Sequence, residues 1–251
     1  MNTPGGICLS RPPPSRLNKY MKPRTPAVLK SAIPISECRR CGTCCKKGGP
    51  SLHIEDQPLV ERGAIHSRYL YTLRKGELAR DNVKGDLAPV AGELIKIKGR
   101  ATVWTCIFYD ENKNACKIYA NRPVECRVLK CWDTRAIENM YTENRLTRRH
   151  LMSGVKGLWE LIEDHEARCD YLLIGEMVRE LEPGCKNTAV ENLLEMIQYD
   201  TQIRGLVVKR SGVSEDMTDF LFGRPLLKTI TTLGLRVKRS GGMYQLVPLG
   251  R

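Results

Sequence analysis

Aromatic residues are sparse in this chain, at 6% of 251 positions, and nowhere do eighteen or more apolar residues run together. The first shortage leaves no obvious stacking platform for nucleic-acid bases. The second leaves no candidate for a membrane-spanning helix. Histidine occurs only four times, and no zinc-finger spacing ends in a histidine pair. A phosphate-cradling glycine loop, a G-x-S-x-G elbow, an H-E-x-x-H helix and a dinucleotide fingerprint are all missing, so an enzyme built on those mechanisms is not expected. The opening segment, MNTPGGICLSRPPPSRLNKYMKPRTP, has no apolar core of signal-peptide length and is broken by prolines. A soluble, cytoplasmic protein with no membrane association is the expectation.

Acidic residues are absent from residues 1–36, where Arg11, Arg16, Lys19, Lys22, Arg24 and Lys30 stand unopposed and add to a net charge of +13. Such a basic, proline-rich leader buries too little apolar surface to offset its ordering entropy, and is expected to stay solvated. Contact with nucleic acid or an acidic partner is the alternative. The hydrophobic fraction of 41% permits a globular core, and the length admits one domain or two small ones.

Pattern and turn chemistry place the elements. LHIEDQPLVERGAI predicts a short helix entered near Glu55 and Asp56, whose charge suits a helix start. Leu70 to Pro89 reads as loop with short pieces of structure. Alternation in ELIKIKG (93–99) and the apolar VWTCIFY (103–109) predict two strands, with DENKN (110–114) as a turn into a third, ACKIY. From Thr134 to Glu182 the apolar spacing is helical until Pro183 and Gly184. A helix from Asn187 to about Ile203 follows. SEDMTDFLFGRPLLKTITTLG reads as another helical run, with Ser214 as N-cap and Pro225 as an interruption. A small hairpin around Gly241 and Gly242 closes the chain.

What the chain has in plenty is cysteine, eleven in all. In a reducing compartment clustered thiols point to metal or redox chemistry rather than to a disulfide framework, and the odd count fits poorly with full pairing. Two groups stand out: Cys38-x2-Cys41-x2-Cys44-Cys45, and Cys106-x9-Cys116-x9-Cys126-x4-Cys131. Two-residue spacing lets a tight turn aim two sulfurs at one metal while backbone N–H groups point at them. Adjacent side chains diverge, so Cys44 and Cys45 seldom serve one small tetrahedral site. The eight thiols therefore allow two four-cysteine sites, or one site with extra cysteines around it. Arg39, Arg40, Lys46, Lys47, Lys117, Arg122, Arg127 and Lys130 crowd them, and such cations favour thiolate over thiol. An iron–sulfur cluster, in the [4Fe–4S] form that a C-x2-C-x2-C triplet resembles, is the first choice of cofactor, with zinc as the alternative.

CRRCGTCC followed by CIFYDENKNACKIYANRPVECRVLKCW resembles the CxxCxxCC (YkgJ-like) cysteine-cluster family. The matching residues are Cys38, Cys41, Cys44 and Cys45, then Cys106, Cys116, the I-Y-x-x-R-P phrase ending at Pro123, Cys126 and Cys131. The resemblance covers roughly residues 36–133 and implies chelation of zinc or iron. One branch of the family looks like flagellin lysine N-methylase, which implies a metal-dependent protein-modifying enzyme. Against that, no glycine-rich S-adenosylmethionine loop is present and the C-terminal half shows no match. Within the phrase, Pro123 biases Arg122 toward extended geometry. A structural turn is preferred there over a pairing of Arg122 with a carboxylate or with sulfur.

Elsewhere, His165 and Cys169 stand one helical turn apart and could share a metal. The preferred reading puts His165 at the surface and Cys169 in the core. Cys185 is a minor candidate for an auxiliary ligand and Cys8 a bystander. His53, His66 and His150 are read as surface or packing residues, and Trp104, Trp132 and Trp159 as core or site-wall residues. The expected fold is α+β, a small metal-bound β-hairpin and loop region followed by a mostly helical C-terminal half. Its parts would be a leader (1–35), a cysteine-cluster domain (36–133) and a mainly helical region with a C-terminal hairpin (134–251). The expected function is metal binding in a structural or electron-transfer role, with an unidentified protein partner. The alternatives are a lysine N-methylase-like enzyme and a zinc-stabilised nucleic-acid-binding module.

Overall fold

The computed structural model describes residues 37–81, 83–100, 103–181, 188–240 and 243–249. Cys8 and Cys185 lie outside these residues, as do Pro183 and Gly184 and the Gly241–Gly242 turn.

The fold is α+β, and its strands come only in antiparallel pairs. β1 (Leu70–Leu73) pairs with β4 (Leu94–Ile97), with Thr72 opposite Ile95. Between them β2 (Leu78–Arg80) and β3 (Leu87–Pro89) form a smaller hairpin. The alternation of ELIKIK does what period two requires: Ile95 and Ile97 are buried while Leu94 and Lys96 are only half-buried. Thr72, also inward, would be a buried unpaired hydroxyl, but its Oγ1 donates to the Phe220 carbonyl at 2.7 Å. Phe220 belongs to α9 (Thr218–Phe222), whose Phe220, Leu221 and Phe222 are wholly buried against this ribbon.

The cysteine-bearing half adds α1 (Thr43–Lys46), α2 (Gln57–Glu61), β5 (Tyr109–Asp110), β6 (Ala115–Cys116) and α3 (Val124–Val128). The helix expected in LHIEDQPLVERGAI is thus present, preceded by a 3-10 turn over Ile54–Asp56. Of the strand expected over 103–109 only Tyr109 is in a strand. Trp104 has φ +56°, a left-handed conformation that no strand accepts, and the amides of Val103 and Trp104 both turn back to the Arg100 carbonyl.

The remainder is mostly helical: α4 (Arg135–Met140), α5 (Arg148–Met152), α6 (Lys156–Arg168), α7 (Tyr171–Arg179), α8 (Thr188–Ser211) and α10 (Leu226–Thr229). Antiparallel β7 (Leu235–Ser240) and β8 (Met243–Pro248) close it. α8 runs about two turns beyond the end expected near Ile203, because Ile203, Arg204 and Val207 continue its buried face. Two apolar clusters result. One joins Leu52, Ile65, Ile95 and Leu146 to Ile162 and α9; the other packs Cys169, Tyr171 and Ile174 on Leu193, Ile197, Leu226 and Ile230. Among the described residues no helix is long and apolar enough to cross a membrane.

Asp200 ties the helices together. Its Oδ1 accepts from His165 Nε2 at 2.8 Å and from Arg204 Nε at 2.9 Å, and its Oδ2 accepts from the Leu226 amide at 2.9 Å. Arg204 then donates to the Thr218 and Phe222 carbonyls, reaching α9. His165 is therefore not the surface residue its sequence context led us to expect: it is wholly buried, and its partner is a carboxylate. Cys169 is buried as expected, and burial pushes its thiol up to about 12, as befits an inert packing residue. Burial alone would raise the Asp200 carboxyl, but the His165 hydrogen bond and the Arg204 guanidinium hold it down at about 2.

Asp200→Ala is expected to cost about 3–5 kcal/mol, because it strands a buried guanidinium, an imidazole N–H and an amide. Urea denaturation measures this. A native carboxyl at about 2 lies below its unfolded value of about 3.9. The stability it contributes is therefore complete above that unfolded value and lost as pH falls toward 2. The variant should lose this part of the acid sensitivity.

Candidate metal centre

The first cysteine group lies on a loop shaped by backbone conformation. Arg40 has φ +52° and Gly42 φ +75°. Glycine is required at 42 for a second reason, since a Cβ there would enter the ring of Tyr109. The buried Tyr109 thus seats the loop on β5, with its hydroxyl donating to Asn114 Oδ1. α1 follows as a single turn, the Lys46 amide closing on the Gly42 carbonyl at 2.9 Å. It carries Cys44 and Cys45.

The second group is stitched to the first by backbone. The Cys106 amide donates to the Cys45 carbonyl at 2.8 Å, and Cys106 bridges to Gly99. Cys116 stands opposite Tyr109 in the β5–β6 pair. Cys126 sits in α3, behind Pro123. Arg122 is extended (φ −63°, ψ 135°), as expected ahead of proline, and its Nε donates to the Tyr119 carbonyl at 2.9 Å, which makes it a turn residue.

These placements gather six of the eight cysteines. Cys44 is felt electrostatically by Cys41, Cys45, Cys106 and Cys126, and Cys116 by Cys106 and Cys126. Cys38 and Cys131 are both exposed, Cys131 in a turn closed by the Lys130–Asp133 bridge. Among the described residues no three His, Cys, Asp or Glu side chains converge on one point as metal ligands.

The thiols differ sharply. A hydrogen bond from Cys45 lowers Cys44 to about 6, and the nearby Arg122 guanidinium favours its thiolate further. The same proton, kept on Cys45, pushes that thiol up, as does its burial. Burial also raises Cys106 and Cys126, and neighbouring sulfurs add to the effect. A hydrogen bond from Thr43 lowers Cys41 as well. Lowered thiols thus stand beside raised ones, a donor set that fits a thiophilic metal. None of the four histidines joins it. His53 pairs with Glu125, His66 caps the Arg68 amide, His150 bonds Thr147, and His165 bonds Asp200. The donors are sulfur throughout.

Sequence reasoning missed the buried polar cluster behind Cys126. Glu125 accepts from the Ser51 amide at 2.8 Å through Oε2, and from Arg145 Nη1 at 2.9 Å and His53 Nε2 at 3.2 Å through Oε1. His53 Nδ1 lies 2.8 Å from the Glu143 carbonyl, so both ring nitrogens face an acceptor oxygen. Burial would raise the Glu125 carboxyl, but His53, Lys96, the Ser51 amide and Arg145 together lower it. Asp56, fully buried, accepts from the His53 amide and from the Val124 amide at the start of α3. The only trace in the sequence is the acid beside Cys126; its partners lie 72 and 74 residues earlier and 20 residues later. Of the core or site-wall alternatives for the tryptophans, exposure of 56% at Trp104 and 37% at Trp132 excludes the core for these two.

Residues 37–148 match the CxxCxxCC family model, described as a "putative zinc- or iron-chelating domain". The match begins just before Cys38 and ends at the first residue of α5. No curated protein and no solved structure matches the chain.

Removing the carboxylate should unfasten α3. Glu125→Ala is expected to lower stability by about 3–5 kcal/mol, since it leaves Arg145 and His53 buried without their partner. Thermal melts of wild type and variant at neutral pH test this.

Proposed function

We propose that the protein binds metal through the cysteines of its two groups, Cys38, Cys41, Cys44, Cys45, Cys106, Cys116, Cys126 and Cys131. We further propose that the metal is an iron–sulfur cluster in a structural or electron-transfer role. What supports this reading is the backbone bond that sets Cys45 against Cys106, together with the mutual electrostatic influence of Cys41, Cys44, Cys45, Cys106, Cys116 and Cys126, with Cys44 lowered to about 6. The sulfur-only donor set favours a cluster or an all-cysteine zinc site over the mixed cysteine–histidine sites of zinc fingers. Bound iron–sulfur would supply one-electron redox capacity, whereas zinc would act as a clamp. The chain's own contribution is to hold the thiols in register, through the Cys45–Cys106 backbone bond and the Glu125 cluster. Arg122 favours the anionic form of Cys44.

Purification without oxygen, followed by measurement of iron, zinc and acid-labile sulfide, tests the reading. Iron and sulfide in near-equal amounts at about four per chain, with brown absorbance, is the expected result. Colourless protein with about one or two zinc ions per chain would replace the cluster by a structural site. Protein without stoichiometric metal would overturn the proposal. Cys44→Ala and Cys126→Ala should lose the metal, while Cys169→Ala, deep in the helical core, should keep it. Uptake must displace protons from Cys45, Cys106 and Cys126, whose thiols are raised. Affinity should therefore rise with pH through the neutral range, with protons released on binding, as calorimetry in buffers of different ionisation enthalpy will show.

A further inference from the structure

Four arginines meet at the Tyr119–Asn121 turn, just beyond Cys116. Arg122 lies on the Tyr119 ring with its guanidinium carbon 3.6 Å from the ring centre. Arg40 reaches the same ring from the cysteine loop, at 4.5 Å. Arg62 donates to Asn121 Oδ1 and Arg127 to the Arg122 carbonyl, both at 2.8 Å. Elsewhere the fold gives its buried arginines carboxylates: Arg74 and Arg148 have Glu166, Arg204 has Asp200 and Arg224 has Glu77. Around Tyr119, among the described residues, no guanidinium forms an ion pair. Arg40, Arg62 and Arg127 are exposed and Arg122 is half-buried.

The thiol site does not account for this much charge. A metal held by four thiolates carries a net charge of about −2, and two such sites about −4. Eight cations flank the cysteines in sequence, seven of them exposed. The nearby Glu111, Asp133 and Glu125 pair with Arg100, Arg135 and Arg145 instead; among the described residues none of the eight forms an ion pair, and an exposed patch of that kind attracts anions.

Two exposed indoles flank the second cysteine group in sequence. Trp104 precedes Cys106 by two residues and Trp132 follows Cys131. Trp104 is also a backbone outlier, at φ +56°, a cost that a bulky residue bears only where the surroundings enforce it. Its amide is bonded to the Arg100 carbonyl at 2.9 Å and its own carbonyl packs on Gly99. The result is an indole 56% exposed.

We propose that the rim of the cysteine site binds single-stranded nucleic acid, with Arg40 and Arg122 on phosphates and Trp104 and Trp132 stacked on bases. Unpaired cations together with solvent-facing aromatic rings are what a single strand uses. A duplex would meet the cations but keep its bases from the indoles. An acidic polypeptide would leave the indoles in water. The surface consists of side chains other than the thiols, so it stands whichever metal the site holds.

The test is fluorescence anisotropy of a labelled oligouridylate with the full chain, over about 50 to 200 mM salt. Metal content and melting temperature are measured on every variant. Arg40→Gln and Arg122→Gln should each reduce the salt slope by about one. Trp104→Ala and Trp132→Ala should each weaken binding about fivefold or more with the slope nearly unchanged, and with metal content intact. If Arg122→Gln lowers the metal content, the exposed Arg40 and the two tryptophans decide the question. Binding that ignores those three substitutions would assign the affinity to the basic residues 1–36 and overturn the proposal. So would competition by polyglutamate as effective as by unlabelled oligouridylate, or no binding at low salt.

Discussion

A carboxylate buried beside Cys126 is the constraint on which the cysteine half depends. Glu125 cannot stay charged in that place without partners. It finds them in the Ser51 amide, His53 and Arg145, which come from two other parts of the chain. Ser51 stands only a few residues past Cys45, and Arg145 leads into α5. One side chain therefore sets α3, with Cys126 on it, against the segment that follows the first cysteine group. Asp56 repeats the device one step away by accepting the Val124 amide. The backbone bond between Cys45 and Cys106 completes the alignment. The polar cluster holds the thiols in register from behind, and the thiols need not provide that order themselves.

The same economy governs charge. Buried cations in the fold are given carboxylates, and the Asp200 and Glu125 clusters are the clearest cases. Thiols are treated in the opposite way. Burial disfavours the anions of Cys106 and Cys126, while hydrogen bonds favour those of Cys41 and Cys44. A cation would relieve that penalty. The site is thus prepared for a positive charge inside and surrounded by positive charge outside, and the two need different ligands.

Much was legible in the chain itself. The alternation in ELIKIK marked β4, since period two has no other use there. The polar DENKN marked the turn between β5 and β6, and Pro123 predicted the extended Arg122. Helical spacing located α6 and α7. The eight cysteines announced their chemistry by type and spacing, as the match over residues 37–148 agrees. Where sequence reasoning failed, the reason was a partner far along the chain. Apolar 103–109 looks like a strand, but the Arg100 carbonyl takes both the Val103 and Trp104 amides and turns the segment instead. His165 looks like a surface residue until Asp200, 35 positions on, is placed against it.

Local preference and ligand chemistry are written in neighbouring residues, so the sequence alone determined the α+β character, the position of most elements and the sulfur nature of the site. That Cys45 and Cys106 are joined through the backbone, which thiols are lowered and which raised, and that Glu125 and Asp200 tie distant segments together were decided only by tertiary structure. Burial and long-range hydrogen bonds produce those properties, and both depend on residues that meet only when the chain is folded.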